Sequence, residues 1–272
     1  MAVVLITGCS SGFGMEFARA FAQRGDQVVA TMRDVSRAGD LQGQPNVDVR
    51  RLDVTEPATF AGLVEGIVRD YARIDVLVNN AGIAAIGALE TLEEATLRSV
   101  LETNFFGAIG LTRAVLPGMR AQGSGRIVFM SAIGALLNTA YFGAYGVSKA
   151  AISGLAATWD TELRPFGIRV CAILPSAYRT AIAGNLRVEP AEGTPYEQPT
   201  RRYHAGLSER IQTGPADLSP VVEAVIDSAT NPNPRHMYLV APRLAEVLQP
   251  VVDSLEALHA RELELTKPLQ EG

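Results

Sequence analysis

Residues 3–14, Val-Val-Leu-Ile-Thr-Gly-Cys-Ser-Ser-Gly-Phe-Gly, decide the fold. An unbroken apolar run at 3–7 enters a turn carrying three glycines, and a helical pattern follows at 13–23. An apolar run without polar alternation marks a strand buried on both faces, as in a parallel sheet. Gly8 permits the tight turn, Gly12 lets backbone approach a pyrophosphate, and Gly14 lets helix lie close on strand. With Ser10, Ser11 and Phe13 these glycines form a candidate phosphate cradle at a helix N-terminus, where unpaired N–H groups attract anions. A glycine-rich turn without any ligand is the alternative that the motif by itself leaves open.

Outward from this stretch the same alternation recurs. Strand-like runs stand at 27–31, 47–52, 74–79, 126–130, 168–174 and 236–240, with helical patterns near 56–71, 92–121, 144–164 and 217–229. Strand and helix in alternation, with near-continuous apolar strands, predict an α/β fold: a doubly wound (Rossmann) parallel sheet of seven strands, helices on both faces. At 272 residues and 47% hydrophobic content, one domain over 1–272 is expected. Residues 184–216 break the rhythm with Gly184, Pro190, Pro195, Pro199 and Gly214, and are expected to form a long substrate loop that lids a pocket. Helical periodicity returns in a tail over 242–267.

Composition excludes several classes. A net charge of -5, with no basic cluster beyond Arg201-Arg202, argues against a nucleic-acid surface. There is no run of eighteen apolar residues to span a membrane, and MAVVLITG lacks the charged start of an export signal, so a cytoplasmic location is expected. The two cysteines, Cys9 and Cys171, lack metal-ligand spacing; neither a metal nor a structural disulfide is expected.

The second strand runs into Arg33, at the place that faces the adenosine ribose in a doubly wound sheet. An arginine fork matches a 2′-phosphate, which predicts NADP(H) in preference to NAD(H). Asp34 beside it keeps NAD(H) possible, and a merely solvated Arg33 is the plain alternative.

Tyr145 and Lys149 carry the chemistry. Of 24 basic residues only Lys149 and Lys267 are lysine, and with seven tyrosines in the chain a chance Tyr-x-x-x-Lys is expected about 0.05 times. Residues four apart share a helix face, where an ammonium favours the phenolate and so lowers the phenol pKa toward a working value. A surface pair without a role is the ordinary alternative.

These pieces together resemble the short-chain dehydrogenase/reductase family, in its single-domain form, along most of residues 2–180. Thr7-Gly8-x-x-x-Gly12-x-Gly14 resembles its cofactor turn, Asn79-Asn80-Ala81-Gly82 its segment after the fourth strand, and Asp53-Val54 its adenine contact. Asn104, Ser131, Tyr145 and Lys149 resemble its catalytic four. The resemblance implies that Tyr145 moves the proton, Lys149 tunes it and binds the nicotinamide ribose, Ser131 bonds the substrate oxygen, and Asn104 holds a water. It also implies cofactor contacts from Asn80, Ala81, Gly82, Pro175 and Thr180. ATMRD and NNAGIAAIGALE are most similar to the branch acting on hydroxysteroids, retinoids and related alcohols or ketones.

Two departures stand out. Serine to tyrosine is often thirteen positions in the family, whereas Ser131 to Tyr145 is fourteen, which implies one extra residue in the loop ALLNTAYFGA. The family's Pro-Gly after the sixth strand reads Pro175-Ser176. The expected function is NADP(H)-dependent interconversion of a ketone or aldehyde with an alcohol. The alternatives are a regulatory protein that binds NADP without turnover and an NAD-preferring alcohol dehydrogenase; a sugar-nucleotide epimerase is disfavoured by the glycine spacing. Leu136, Leu137, Tyr141 and Phe142 suggest an apolar wall and a small hydrophobic carbonyl or alcohol substrate. By family analogy a homodimer or homotetramer through 92–121 and 144–164 is expected.

Overall fold

β1 (Val3–Thr7) is buried at every position inside a seven-stranded parallel sheet. The computed structural model describes residues 1–180 and 186–270, side chains of 267–270 excepted. β2 (Gln27–Met32) and β3 (Val47–Arg51) extend the sheet to one side of β1. β4 (Val76–Asn79), after the short β5 (Ala84–Ile86) has branched off, leads to β6 (Gly125–Met130), β7 (Ile168–Pro175) and, past the short β8 (Leu186–Val188), β9 (Met237–Val240) on the other. The order β3-β2-β1-β4-β6-β7-β9 reverses between β1 and β4, so a crevice opens at their carboxyl ends, where doubly wound sheets bind ligands.

Alternation along β1 explains the two faces. Val4 and Ile6 face a layer built by Phe17 and Phe21 of α1 (Gly12–Gln23) and by Val221 and Val225, whereas Leu5 faces Leu77, Leu111, Phe129 and Ile152. Each such side chain, removed from water, contributes about 1.5–3 kcal/mol. The second layer is formed by α2 (Phe60–Tyr71), α3 (Glu94–Leu101), α4 (Gly107–Gln122), the short α5 (Gly134–Leu137) and α6 (Gly143–Leu163). Cys9 and Cys171 are free, and burial pushes both thiols up to about 12.

Two expectations need correction. The single helix expected over 92–121 is divided: a π-helical turn, Glu102–Phe106, separates α3 from α4 and carries Asn104. A π turn inserts an extra residue and redirects a side chain, which an unbroken 3.6-residue pattern conceals. The irregular loop expected over 184–216 contains β8, paired in parallel with β5, and α7 (Glu197–Gln212). Pro199 lies in the first turn of α7, where its missing N–H costs no helical hydrogen bond. Residues 184 and 185 lie outside the described residues.

After α8 (Ser219–Thr230), the chain ends in α9 (Ala245–Gln270), which buries Leu248 and Val252. Asp160 of α6, 0% exposed, secures this helix: it accepts from His259 Nε2 at 3.0 Å, from Arg169 Nε at 2.8 Å and from the Val170 amide at 2.9 Å. Burial works against the carboxylate, yet these donors together hold it well below the usual carboxylate range. Among the described residues no helix is long and apolar enough to cross a membrane.

Candidate active site

The turn after β1 is shaped for an anion. Gly8 and Gly12 have φ of 75° and 57°, the left-handed region, and a Cβ at Gly14 would stand 2.4 Å from the Gly8 carbonyl oxygen. Ser11, the N-cap of α1, makes no side-chain cap, and no acid occupies the first turn. The leading amides therefore lack a side-chain partner where Ser10, Ser11, Gly12 and Phe13 line a cavity of about 1020 Å³. Asn80 Nδ2 donates to the carbonyls of Thr7 at 2.9 Å and Gly8 at 3.1 Å, while Thr7 Oγ1 accepts from the Asn80 and Ala81 amides, each at 3.0 Å. The segment after β4 thus clamps the glycine turn in addition to lining the cavity with Ala81 and Gly82.

Arg33 lines the same cavity, joined by Arg37, which sequence reasoning missed. The one signal was its spacing, four residues beyond Arg33 across the 3-10 turn Val35–Arg37. Asp34 turns its carboxylate to the Ser36 amide at 3.0 Å and hydroxyl at 2.6 Å. Asp53 Oδ1 accepts from the Thr55 amide at 3.0 Å and hydroxyl at 2.8 Å, closing a local turn, while Asp53 and Val54 also line the cavity. Burial opposes the Asp53 charge, but the Thr55 donors and the nearby Arg33 and Arg51 hold its pKa below the ordinary value.

Tyr145 and Lys149 sit on one face of α6 and line the same cavity, with Lys149 Nζ 5.4 Å from the Tyr145 ring centroid. Lys149 Nζ donates to the Met130 carbonyl at 2.7 Å, and the Phe142 ring stacks on Tyr145 at 4.6 Å. The expected lowering of the phenol pKa is not what these groups produce. Burial pushes the Tyr145 phenol well above its ordinary value and pushes Lys149 down to about 8.

Asn104 lies beside this pair and is hydrogen-bonded through both of its side-chain polar atoms. Its Oδ1 accepts from the Ile83 amide at 2.8 Å, and its Nδ2 donates to the Ile83 carbonyl and Ser148 Oγ, both at 2.9 Å. Ser131 lines the cavity, and its hydroxyl donates to the Lys149 carbonyl at 3.0 Å and lies 2.8 Å from Ser153 Oγ. Pro175 ends β7 at the cavity, and Ser176 is not among the positive-φ residues, so the backbone here makes no glycine-like demand. Thr180 approaches Gly12, in the glycine turn, where a Cβ on that glycine would stand 3.4 Å from the Thr180 Cβ.

The remaining wall is mixed: Arg210 and Arg243 line it among apolar side chains. Leu137 and Phe142 line the cavity as expected, whereas Leu136 packs on the core and Tyr141 on Tyr203. Tyr203, Leu207 and Ile211, spaced four apart on α7, complete the wall from the segment expected to be loop.

A sheet reversing at a glycine turn, with tyrosine and lysine one helical turn apart in the same cavity, defines a nucleotide-dependent oxidoreductase site on a doubly wound fold. The family model described as short chain dehydrogenase matches residues 2–191, and the chain belongs to that family. It is 35% identical to retinol dehydrogenase 8 of Bos taurus over 88% of this chain and 83% of that protein. It is 33% identical to human 11-beta-hydroxysteroid dehydrogenase type 2 over 86% of this chain and 63% of that protein. A solved short-chain dehydrogenase from Streptomyces avermitilis, 32% identical, superposes with a TM-score of 0.82 over 98% of this chain and 97% of its own. These relatives are dehydrogenases and reductases acting between CH–OH and C=O groups, and this chain is an enzyme of the same kind.

Proposed function

We propose that this protein is an NADP(H)-dependent reductase of a bulky apolar ketone or aldehyde, with Tyr145 as proton donor. The observation that carries the reading is the placement of Tyr145 and Lys149 in one cavity with the uncapped start of α1. The residues fit a dinucleotide: Gly8 and Gly12, both in the left-handed region, bring backbone to the cavity wall, and the amides around Ser11 and Gly12 offer donors to a pyrophosphate.

When bound, the cofactor supplies or accepts the hydride at its nicotinamide ring. The chain's own residues do the rest. The Tyr145 phenol, whose pKa burial raises, is protonated at neutral pH, the form that donates to a substrate oxygen. Lys149, held at Met130, keeps a cation beside the ring to stabilise the phenolate left behind. Arg33 and Arg37 supply two forks toward a 2′-phosphate, while Asp34 is engaged by Ser36; this supports NADP(H) over NAD(H).

The apolar side chains of the wall, and relatives named for retinol and hydroxysteroids, support a lipid-like substrate of similar bulk. A single domain, a cytoplasmic location and a homodimer or homotetramer through α4 and α6 belong to the same reading; Phe106, beside α4, and Val147, on α6, expose 53% each. The test is oxidation of NADPH by purified enzyme across a panel of apolar aldehydes and ketones. Consumption with bulky members supports the reading; binding of NADPH without consumption across the panel would favour a regulatory protein.

A further inference from the structure

A hydroxyl has a single proton to donate, and that of Ser131 goes to the Lys149 carbonyl. None is left for a substrate oxygen. The residue thirteen positions before Tyr145, the spacing at which a substrate-binding serine was expected, is Ala132; it lines the cavity beside Ser131 and Tyr145 and carries no donor. The irregularity seen in the sequence is therefore a displaced serine, one place too early, and no lengthening of the loop is needed. Ser131 and its neighbour Met130 instead grip one residue at both ends: Met130 takes the Lys149 ammonium at 2.7 Å, and Ser131 takes its backbone carbonyl at 3.0 Å. Ser153, one turn further along α6, closes the contact at 2.8 Å.

Resting on the reductase reading above, we propose that residue 132 is the one facing the substrate oxygen, and that this enzyme holds that oxygen through Tyr145 without a serine partner. Ser131 is a positioning residue that fixes Lys149 against the end of β6. A preorganised second donor at a reacting oxygen is worth about 100-fold or more in rate, so its absence leaves a gain within reach of one substitution.

The test uses the full chain with NADPH and 2-decalone, an apolar bicyclic ketone, reading turnover by NADPH oxidation and ketone affinity by titrating the enzyme–NADPH complex. Ala132→Ser should raise kcat/KM about tenfold or more with NADPH affinity unchanged. Ala132→Val should weaken decalone binding about tenfold, again at constant NADPH affinity. Ser131→Ala should lower kcat and displace its pH profile while decalone affinity stays within about twofold, and Ser131→Thr should restore both. The proposal is overturned if Ser131→Ala weakens decalone binding about tenfold with the pH profile of kcat unmoved, or if neither substitution at 132 changes turnover or ketone affinity. The two readings fail separately: a wild type that binds NADPH and decalone without oxidising NADPH refutes the reductase, while ketone affinity still reports on residue 132.

Discussion

Lys149 Nζ and the Met130 carbonyl, 2.7 Å apart, join the middle of α6 to the carboxyl end of β6, so the cation beside Tyr145 is held by backbone of the central sheet. This bond keeps a buried ammonium in place at an electrostatic cost that depends on pH. Burial lowers Lys149 from the ordinary 10.5 to about 8. Between these values the unfolded chain binds more protons than the folded one, so the cost is full below about 8 and gone above about 10.5, a difference of at most about 3 kcal/mol. The melting temperature of Lys149→Met minus that of wild type should therefore decrease as pH rises through this window. A difference that stays constant from pH 7 to 10.5 contradicts the burial argument.

Asp160 predicts a stability effect remote from the cavity. It is fully buried and bonded to Arg164, Arg169, His259 and the Val170 amide, so Asp160→Asn leaves the two arginines without their anion. Urea unfolding at pH 7 should show a loss of about 3 kcal/mol or more. Because the folded carboxyl is depressed, its stabilisation is present above the unfolded pKa and is lost as pH falls below about 4, where the two proteins should converge. A loss under about 1 kcal/mol at pH 7 would mean that the network is not holding α9.

Arg33 and Arg37 predict cofactor preference. Replacing either by alanine should weaken NADPH about tenfold, in line with a charge-assisted bond of about 1.5–3 kcal/mol, and leave NADH affinity nearly unchanged. Fluorescence titration with both nucleotides checks this. Equal losses for NADPH and NADH would assign the arginines to a shared phosphate or to folding.

The parts of the site written in local chemistry were legible. Gly8, Gly12 and Gly14 follow from what a strand-to-helix turn over an anion demands, and Tyr145 and Lys149 from the four-residue helical repeat. All seven sheet strands came within two residues of the apolar runs, and six within one, because a doubly buried strand carries its own pattern; β4 begins at Val76, two residues into its run. What failed depended on distant contacts. The hydroxyl of Ser131 turns to α6 because the Lys149 carbonyl and Ser153 are there, eighteen and twenty-two residues away. The π turn at Asn104 is stabilised by Ile83 and Ser148, and α7 was hidden by proline in a polar stretch whose apolar face, Tyr203, Leu207 and Ile211, has meaning only against the cavity. The burial that raises the phenol's pKa likewise comes from packing that no local pattern records.

The most direct measurement is turnover of Tyr145→Phe with NADPH and an apolar ketone, alongside NADPH affinity. Phenylalanine keeps the ring against Phe142 and removes only the hydroxyl. The expected result is NADPH affinity within about threefold of wild type and a fall in kcat of about 100-fold or more. Turnover retained at the wild-type rate, with NADPH still bound, would contradict proton donation by Tyr145.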